Sequence, residues 1–329
     1  MKKIAVYTSG GDAPGMNACI RAAVRAGHYH GLEVYGIIKG YDGMINGNFI
    51  ELDNRSVTNI IQKGGTILKS ARSEQFRTPD GRKKAYDQLR SFGIDGLVAI
   101  GGNGTFTGAE LFYNEFKMPC VGAPGTIDND LYGSDFTIGY DTAVNTCLSA
   151  IDKIRDTADA HERVFFIEVM GRDTGYIAVR SAIAGGAEMA IIPEDAFNNV
   201  GEVINRLQHG TSEAKASHII IVAEGDEVGR ATAIANEVKI ALPQLDYKVT
   251  ILGHVQRGGA PTAADRVLAS RLGLAAVEGL IEGRANVMAG IIDHKVVYTP
   301  FIDTITKRKP ISEDLSCLPE KLNGRKYKI

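Results

Sequence analysis

Short apolar runs alternate with stretches of helical periodicity along almost the whole chain, and many of the runs stop abruptly at glycine. Residues 4–8, Ile-Ala-Val-Tyr-Thr, predict a strand; the turn Ser9-Gly-Gly-Asp-Ala-Pro-Gly15 follows, then an Ala-rich helix from 16 to about 29. Further strands are predicted at 33–38, 95–100, 120–123, 164–170, 189–192, 218–223 and 248–252. Helices are predicted at 80–92, from the glycine turn 101–105 to about 116, at 140–160, up to 185, from about 200, and up to 242. The pattern also predicts a loop at 40–48, a helix capped by Ser56 that carries Val57, Ile60 and Ile61, and a basic surface tail beyond 311. Strands and helices taken in turn give an α/β chain with mostly parallel sheets and ligand loops at the strand ends.

At 329 residues the chain exceeds what one core usually holds, which predicts two domains. No Pro/Ser-rich tether interrupts the rhythm, so the two would be interleaved. A net charge of -2 lacks the basic footprint of a nucleic-acid or membrane-surface protein. Any anionic ligand must therefore be met by local arginines. Cys19, Cys120, Cys147 and Cys317 are scattered, which predicts neither a disulfide framework nor a zinc site and fits a cytoplasmic chain. The start Met1-Lys2-Lys3 and its apolar run break at Ser9-Gly10-Gly11-Asp12, too soon for a signal peptide, and no apolar stretch has bilayer length.

The stretch Gly122-Ala-Pro-Gly-Thr-Ile-Asp-Asn-Asp130 gathers the densest chemistry. Thr126, Asp128, Asn129 and Asp130 follow a strand end, so one acid can take a proton while the other anchors a hard cation; an Asx-rich surface turn is the plainer alternative. The turns at 9–15 and 101–105 suit phosphates, because glycines admit backbone N–H groups and a helix start adds positive charge. Their spacing matches neither the dinucleotide fingerprint nor the Walker loop. Arg72 and Arg77 are either solvated or triphosphate partners. Glu224 follows another strand, and His254 and Arg257 lie three apart in a glycine-bounded loop suited to a phosphate and a hydroxyl.

Taken together, Thr8-Ser-Gly-Gly-Asp-Ala-Pro-Gly-Met-Asn17, Ser70-Ala-Arg72, Gly101-Gly-Asn-Gly104, Pro124-Gly-Thr-Ile-Asp-Asn-Asp130, Met170-Gly-Arg172 and Gly253-His-Val-Gln-Arg-Gly-Gly259 resemble the bacterial ATP-dependent 6-phosphofructokinases over essentially the full length. The resemblance implies two interleaved Rossmann-like three-layer domains, 1–138 plus 252–305 for ATP and 139–251 plus 306–329 for fructose 6-phosphate. It implies a cytoplasmic homotetramer with sites shared between subunits and no nucleic-acid or membrane partner. Asp128 becomes the general base on the sugar 1-hydroxyl, beside Thr126, with Gly11, Arg72 and Arg172 completing the catalytic set. Gly11, Arg72, Ser73, Gly102, Asn103, Gly104 and Thr105 would line the ATP phosphates, and Asn103 and Asp130 would place Mg²⁺. Thr126, Asp128, Met170, Gly171, Arg172, Glu224, His254 and Arg257 would hold the sugar phosphate, with Arg163 and Lys248 supplied across a subunit interface. Glycine at 104 and 125, where pyrophosphate users carry Asp and Lys, implies ATP as donor.

Four departures from the family pattern, at 103, 248, 54 and 213, change expectations. Asn103 replaces a family Asp, which lowers the charge offered to the metal. Lys248 replaces an Arg and loses bidentate phosphate recognition, which predicts weaker sugar-phosphate binding. Arg21, Arg25, Arg155, Glu188 and Lys215 match the family's pocket for the effectors ADP and phosphoenolpyruvate, yet Asn54 and Glu213 depart from it; a plain basic helix face is the alternative for Arg21 and Arg25. Asn103 also leaves open a non-catalytic regulatory paralogue that binds nucleotide or sugar phosphate. An NAD-dependent dehydrogenase lacks its glycine fingerprint here.

Overall fold

A computed structural model describes residues 1–161, 163–195, 200–210, 218–225 and 229–322. The chain divides into two units, Met1–Thr142 with Arg257–Lys309 and Ala143–Gln256 with Pro310–Ile329, so the backbone passes between them three times. In chain order the first elements are β1 (Lys3–Ser9), α1 (Met16–Tyr29), β2 (Glu33–Ile37), α2 (Gly40–Ile45), β3 (Phe49–Glu51), α3 (Pro79–Ser91), β4 (Gly96–Gly101), α4 (Asn103–Phe116) and β5 (Cys120–Pro124). Helix α5 (Tyr140–His161) begins in the first unit and continues in the second. The second unit adds β6 (Val164–Val169), α6 (Tyr176–Ala184), β7 (Met189–Ile191), α7 (Val200–Gly210), β8 (His218–Ala223), α8 (Arg230–Ala241) and β9 (Tyr247–Ile251). After a 3-10 turn at Gly253–Arg257 come α9 (Ala263–Ile281), β10 (Val287–Ile292), β11 (Lys295–Pro300), α10 (Phe301–Thr306) and the short α11 (Glu313–Ser316) and α12 (Leu318–Leu322).

The first unit's sheet runs β11-β10-β5-β4-β1-β2-β3, parallel except for its two edge strands. Along β1 the side chains alternate between two covered faces. Ala5 and Tyr7 join a core with Met44, Leu89, Phe112 and Phe301 from α2, α3, α4 and α10, while Ile4 lies against Gly27 of α1. Cover on both faces is why these strands read as continuous apolar runs. Gly122 in β5 leaves room for Phe106 and Phe301 to stack at 4.9 Å between centroids, and a Cβ there would overlap both rings. The second unit's sheet runs β7-β8-β6-β9, all parallel. One face packs on Val203, Leu207, Ile234 and Val238 of α7 and α8. The alternate residues Phe165, Ile167, Ile219 and Ile221 are buried as well.

Some local expectations fail for identifiable reasons. The segment 40–48, expected as a loop, holds α2, whose glycines disguise it: a Cβ on Gly43 would overlap the Ile38 carbonyl oxygen. The helix expected from Ser56 is a series of turns instead. There the Ser56 amide and hydroxyl both donate to Asp53 Oδ1 at 2.7 Å, and Asn59 sits at φ 55°, which ends any helix. Val57 and Ile60 are buried all the same. Of the tail beyond 311, α12 packs on α6 and β7, and residues 323–329 lie outside the described residues.

Candidate active site

Strands β1, β4 and β5 are side by side in the first unit, so the loops that leave them emerge at one sheet edge. Those loops touch. Thr105 donates its hydroxyl to Ser9 O at 3.0 Å, Gly125 N donates to Gly101 O at 2.9 Å, and a Cβ on Gly102 would stand 3.6 Å from Thr126 Cβ. Thr126 and Asp128 are each only 8% exposed, and Asp128 N donates to Thr126 Oγ1 at 3.2 Å. The loop is set from behind by Thr137, whose hydroxyl donates to Thr126 O at 2.6 Å and whose amide donates to Asn129 Oδ1 at 3.0 Å. Asn129 takes φ 55°, a left-handed geometry that its short amide side chain tolerates. Asp130 is half-buried. Lys309 donates to Asp135 O at 2.7 Å, and burial pulls its ammonium down to about 8 against the opposing pull of Asp135 and Asp130.

Asn103 and Gly104 form the exposed first turn of α4. Among the described residues nothing lies within 4 Å of where a Cβ on Gly104 would be, so the helix start is uncovered at that position, as phosphate binding requires. Gly125 is different. A Cβ there would meet Ile100 and Met16 at 3.1 Å, so packing holds that position small. Arg257 covers the first glycine turn: Nη1 donates to Asp12 O at 3.2 Å and stands 2.5 Å from where a Cβ on Gly11 would be.

Arg72 is exposed, and Ser73 Oγ accepts Phe76 N at 3.3 Å. Arg77, the other arginine of that connection, is tied to Glu74 at 3.3 Å. The strap leading to Arg72 is fixed by Asn17, which donates to Lys63 O and Gly64 O at 3.1 and 3.0 Å and accepts Ile67 N at 2.8 Å. Asn17 thus acts as a positioning residue at the end of the run Thr8–Asn17, a role its polar amide alone does not announce. On α1, burial and then the neighbouring Arg25 pull Arg21 down.

In the second unit Met170, Gly171 and Arg172 follow β6, Glu224 follows β8 and His254 follows β9, all at one edge of its sheet. Arg172 N donates to Glu224 Oε1 at 3.2 Å, and Arg172 takes φ 53°, an uncommon geometry for a long side chain. Arg163 and Lys248 stand at the opposite edge, before β6 and at the start of β9. They share one carboxylate, Asp246, at 2.6 and 3.0 Å. Lys248 first and then Arg163 hold Asp246 below the usual carboxylate range. A six-residue strand is about 20 Å long, so neither cation reaches the Met170 edge of its own unit. Asp246 was missed; its only signal is a position two before Lys248.

Of the effector candidates, Arg155 donates to the carbonyls of Gly185 and Gly186. Glu188 accepts Ile219 N at 2.6 Å, with His218 Nδ1 3.7 Å from its other oxygen. Lys215 and Glu213 lie outside the described residues. Among the described residues no group of three or more His, Cys, Asp or Glu could hold a metal, and no helix is long and apolar enough to cross a membrane.

Two α/β units, each with a mostly parallel sheet and with glycine turns and acids at strand ends, define a protein built to handle phosphates. The phosphofructokinase family profile matches residues 3–280, and the chain belongs to that family. An ATP-dependent 6-phosphofructokinase of Cytophaga hutchinsonii is 84% identical over 329 residues, with both chains fully covered. ATP-dependent 6-phosphofructokinase 1 of Thermus thermophilus is 55% identical over 98% of this chain and 99% of its own. The phosphofructokinase structure from Saccharomyces cerevisiae superposes with a TM-score of 0.87 at 38% identity over 93% of this chain; the match spans 45% of the yeast chain. A pyrophosphate-dependent phosphofructokinase from Marinobacter aquaeolei, 22% identical over 98% of this chain and 91% of its own, shares the fold with a TM-score of 0.83.

Proposed function

We propose that this chain transfers the terminal phosphoryl group of ATP to O1 of fructose 6-phosphate, giving fructose 1,6-bisphosphate and ADP in glycolysis. The reading rests on the family, on near full-length relatives named for this activity, and on one observation. The nearly buried Asp128, pinned through Thr126 and Asn129, shares a sheet edge with the uncovered start of α4.

Asp128 takes the proton of the sugar 1-hydroxyl. O1 then bonds the γ-phosphorus while the bond from that phosphorus to the bridging oxygen of ADP breaks. The transfer asks the protein mainly for alignment and positive charge, which Arg72 and Arg172 supply. Gly11, Arg72, Ser73 and residues 102–105 receive the ATP phosphates. Met170, Gly171, Arg172, Glu224, His254 and Arg257 receive the sugar phosphate.

The far-edge position of Arg163 and Lys248 favours their serving a neighbouring copy's site, in a homotetramer. ADP and phosphoenolpyruvate are the proposed effectors. A carboxylate at Asp130 and an amide oxygen at Asn103 suit Mg²⁺, which keeps most of its waters and leans on substrate phosphates rather than on a protein cage. When bound it neutralises charge on the β- and γ-oxygens.

A coupled assay with fructose 6-phosphate and magnesium, run in parallel with ATP and with pyrophosphate, is the test. Turnover is expected with ATP alone; ATP left unspent overturns the proposal.

A further inference from the structure

The motif Gly253-His-Val-Gln-Arg gives His254 and Arg257 to the proposed site and leaves Gln256 without a role. Its side chain is fully buried, at 0% exposure, yet it is polar and well partnered. Oε1 accepts Met170 N at 3.1 Å and the Cys147 thiol at 3.1 Å, and Nε2 donates to Gly253 O at 3.0 Å. These partners fix which way the amide points, because a backbone N–H only donates and a carbonyl only accepts. Burial pushes the Cys147 thiol up to about 12, so the sulfur keeps the proton it donates.

The two loops joined by Gln256 belong to adjacent strands, β6 and β9. Their backbone ladder ends where Leu252 N donates to Glu168 O at 3.0 Å. Past that point the chains diverge into the Met170-Gly171-Arg172 loop and the His254 turn, and Gln256 bridges them in place of the ladder.

We propose that Gln256 is a positioning residue for the sugar phosphate: it sets the spacing between the Met170 loop and the His254 turn without touching substrate. The proposal rests on the function given above. An apolar replacement leaves the buried Met170 N–H and the half-buried Gly253 carbonyl without their partner, and the two loops lose their common register.

The test is steady-state kinetics of full-length Gln256→Leu and Gln256→Glu, with fructose 6-phosphate and ATP varied separately. The fructose 6-phosphate half-saturation is expected to rise about tenfold in Gln256→Leu, on the scale of leaving one buried backbone donor unpaired. ATP half-saturation should stay within about twofold. Gln256→Glu keeps nearly the same shape and the Oε1 acceptor but turns an oxygen toward Gly253 O, so a smaller rise in the same direction is expected. Loss of folded protein alone behaves differently, lowering kcat and leaving both half-saturations in place. That pattern, or an unmoved fructose 6-phosphate half-saturation at full activity, overturns the proposal. Should Gln256→Leu not fold, Gln256→Glu decides by the same measurement. A wild-type protein idle with ATP and fructose 6-phosphate would instead sink the functional reading, which the parent assay reports separately.

Discussion

A carboxylate near a strand end can serve the fold or the chemistry, and Glu168 shows the first use. It is 1% exposed, next to last in an apolar strand, and its oxygens accept Gly229 N and Ala231 N, each at 2.9 Å, at the start of α8. Asp128 sits instead on a loop at the sheet edge, with its own backbone amide bonded to Thr126. Asp128→Asn should lower kcat by about 10² to 10⁴. Half-saturation by fructose 6-phosphate should move far less; a change confined to substrate affinity would refute the assignment. Asp128 stands out as a candidate because glycine, proline and three Asx residues cluster after an apolar run. Glu168 and Asp246 do not, since each acts on a partner distant in sequence or beyond a turn, and a single charge carries no pattern.

Among the helices, α9 organises the first unit through Asp265 at its start. This buried carboxylate accepts Gly139 N at 2.9 Å, Thr142 N at 2.8 Å and the Thr142 hydroxyl at 2.5 Å, which ties α9 to the beginning of α5. Thr262 adds a bond to Asp141 at 2.7 Å. Burial raises the Asp265 carboxyl above its ordinary 3.8, against the pull of its hydrogen bonds. The folded state thus holds that proton more tightly than the unfolded chain does. The contribution is fully present below 3.8 and is lost as pH rises through the raised value. Asp265→Asn removes this step, so the stability margin of the wild type over the variant should shrink as pH climbs from 3.8 toward neutrality. Urea titrations at several pH values read it directly, and a margin that widens would contradict the argument. The sequence showed α1, α3 and α5 through their spacing, but it hid α9. Val267, Leu274 and Ile281 are exposed while Ala269, Leu272, Ala276 and Leu280 are buried, so apolar residues occupy several sides and no single stripe marks the helix.

For the whole molecule, the proposed homotetramer would give Arg163 and Lys248, at the edge opposite Met170, to another copy's site. If so, two inactive parents should rescue one another. Co-refolding Asp128→Asn with Arg163→Ala forms hybrids in which a chain with an intact base meets a neighbour with an intact arginine. Activity at low fructose 6-phosphate should exceed the sum of the two parents, and strictly additive activity would show that each chain builds its site alone. The α/β class and the interleaving could be read from the unbroken rhythm and the missing tether. The rhythm alone does not mark the crossing points, because α5 carries the same helical pattern on both sides of the boundary; the resemblance sets them after 138, 251 and 305, and the structure divides the chain after 142, 256 and 309.

Those crossings shape how the protein is made. Strand β5 pairs with β10 through Val121 with Val287 and Gly122 with Met288, yet β10 is encoded some way beyond the entire middle of the chain. At ribosomal speeds, a nascent chain waits about 10 to 30 s between releasing one of these strands and the other. Through that interval β5 offers an unsatisfied row of amides and carbonyls to any passing segment. Synthesis halted early would leave the same bare edge permanently, and such fragments are expected to clump rather than fold.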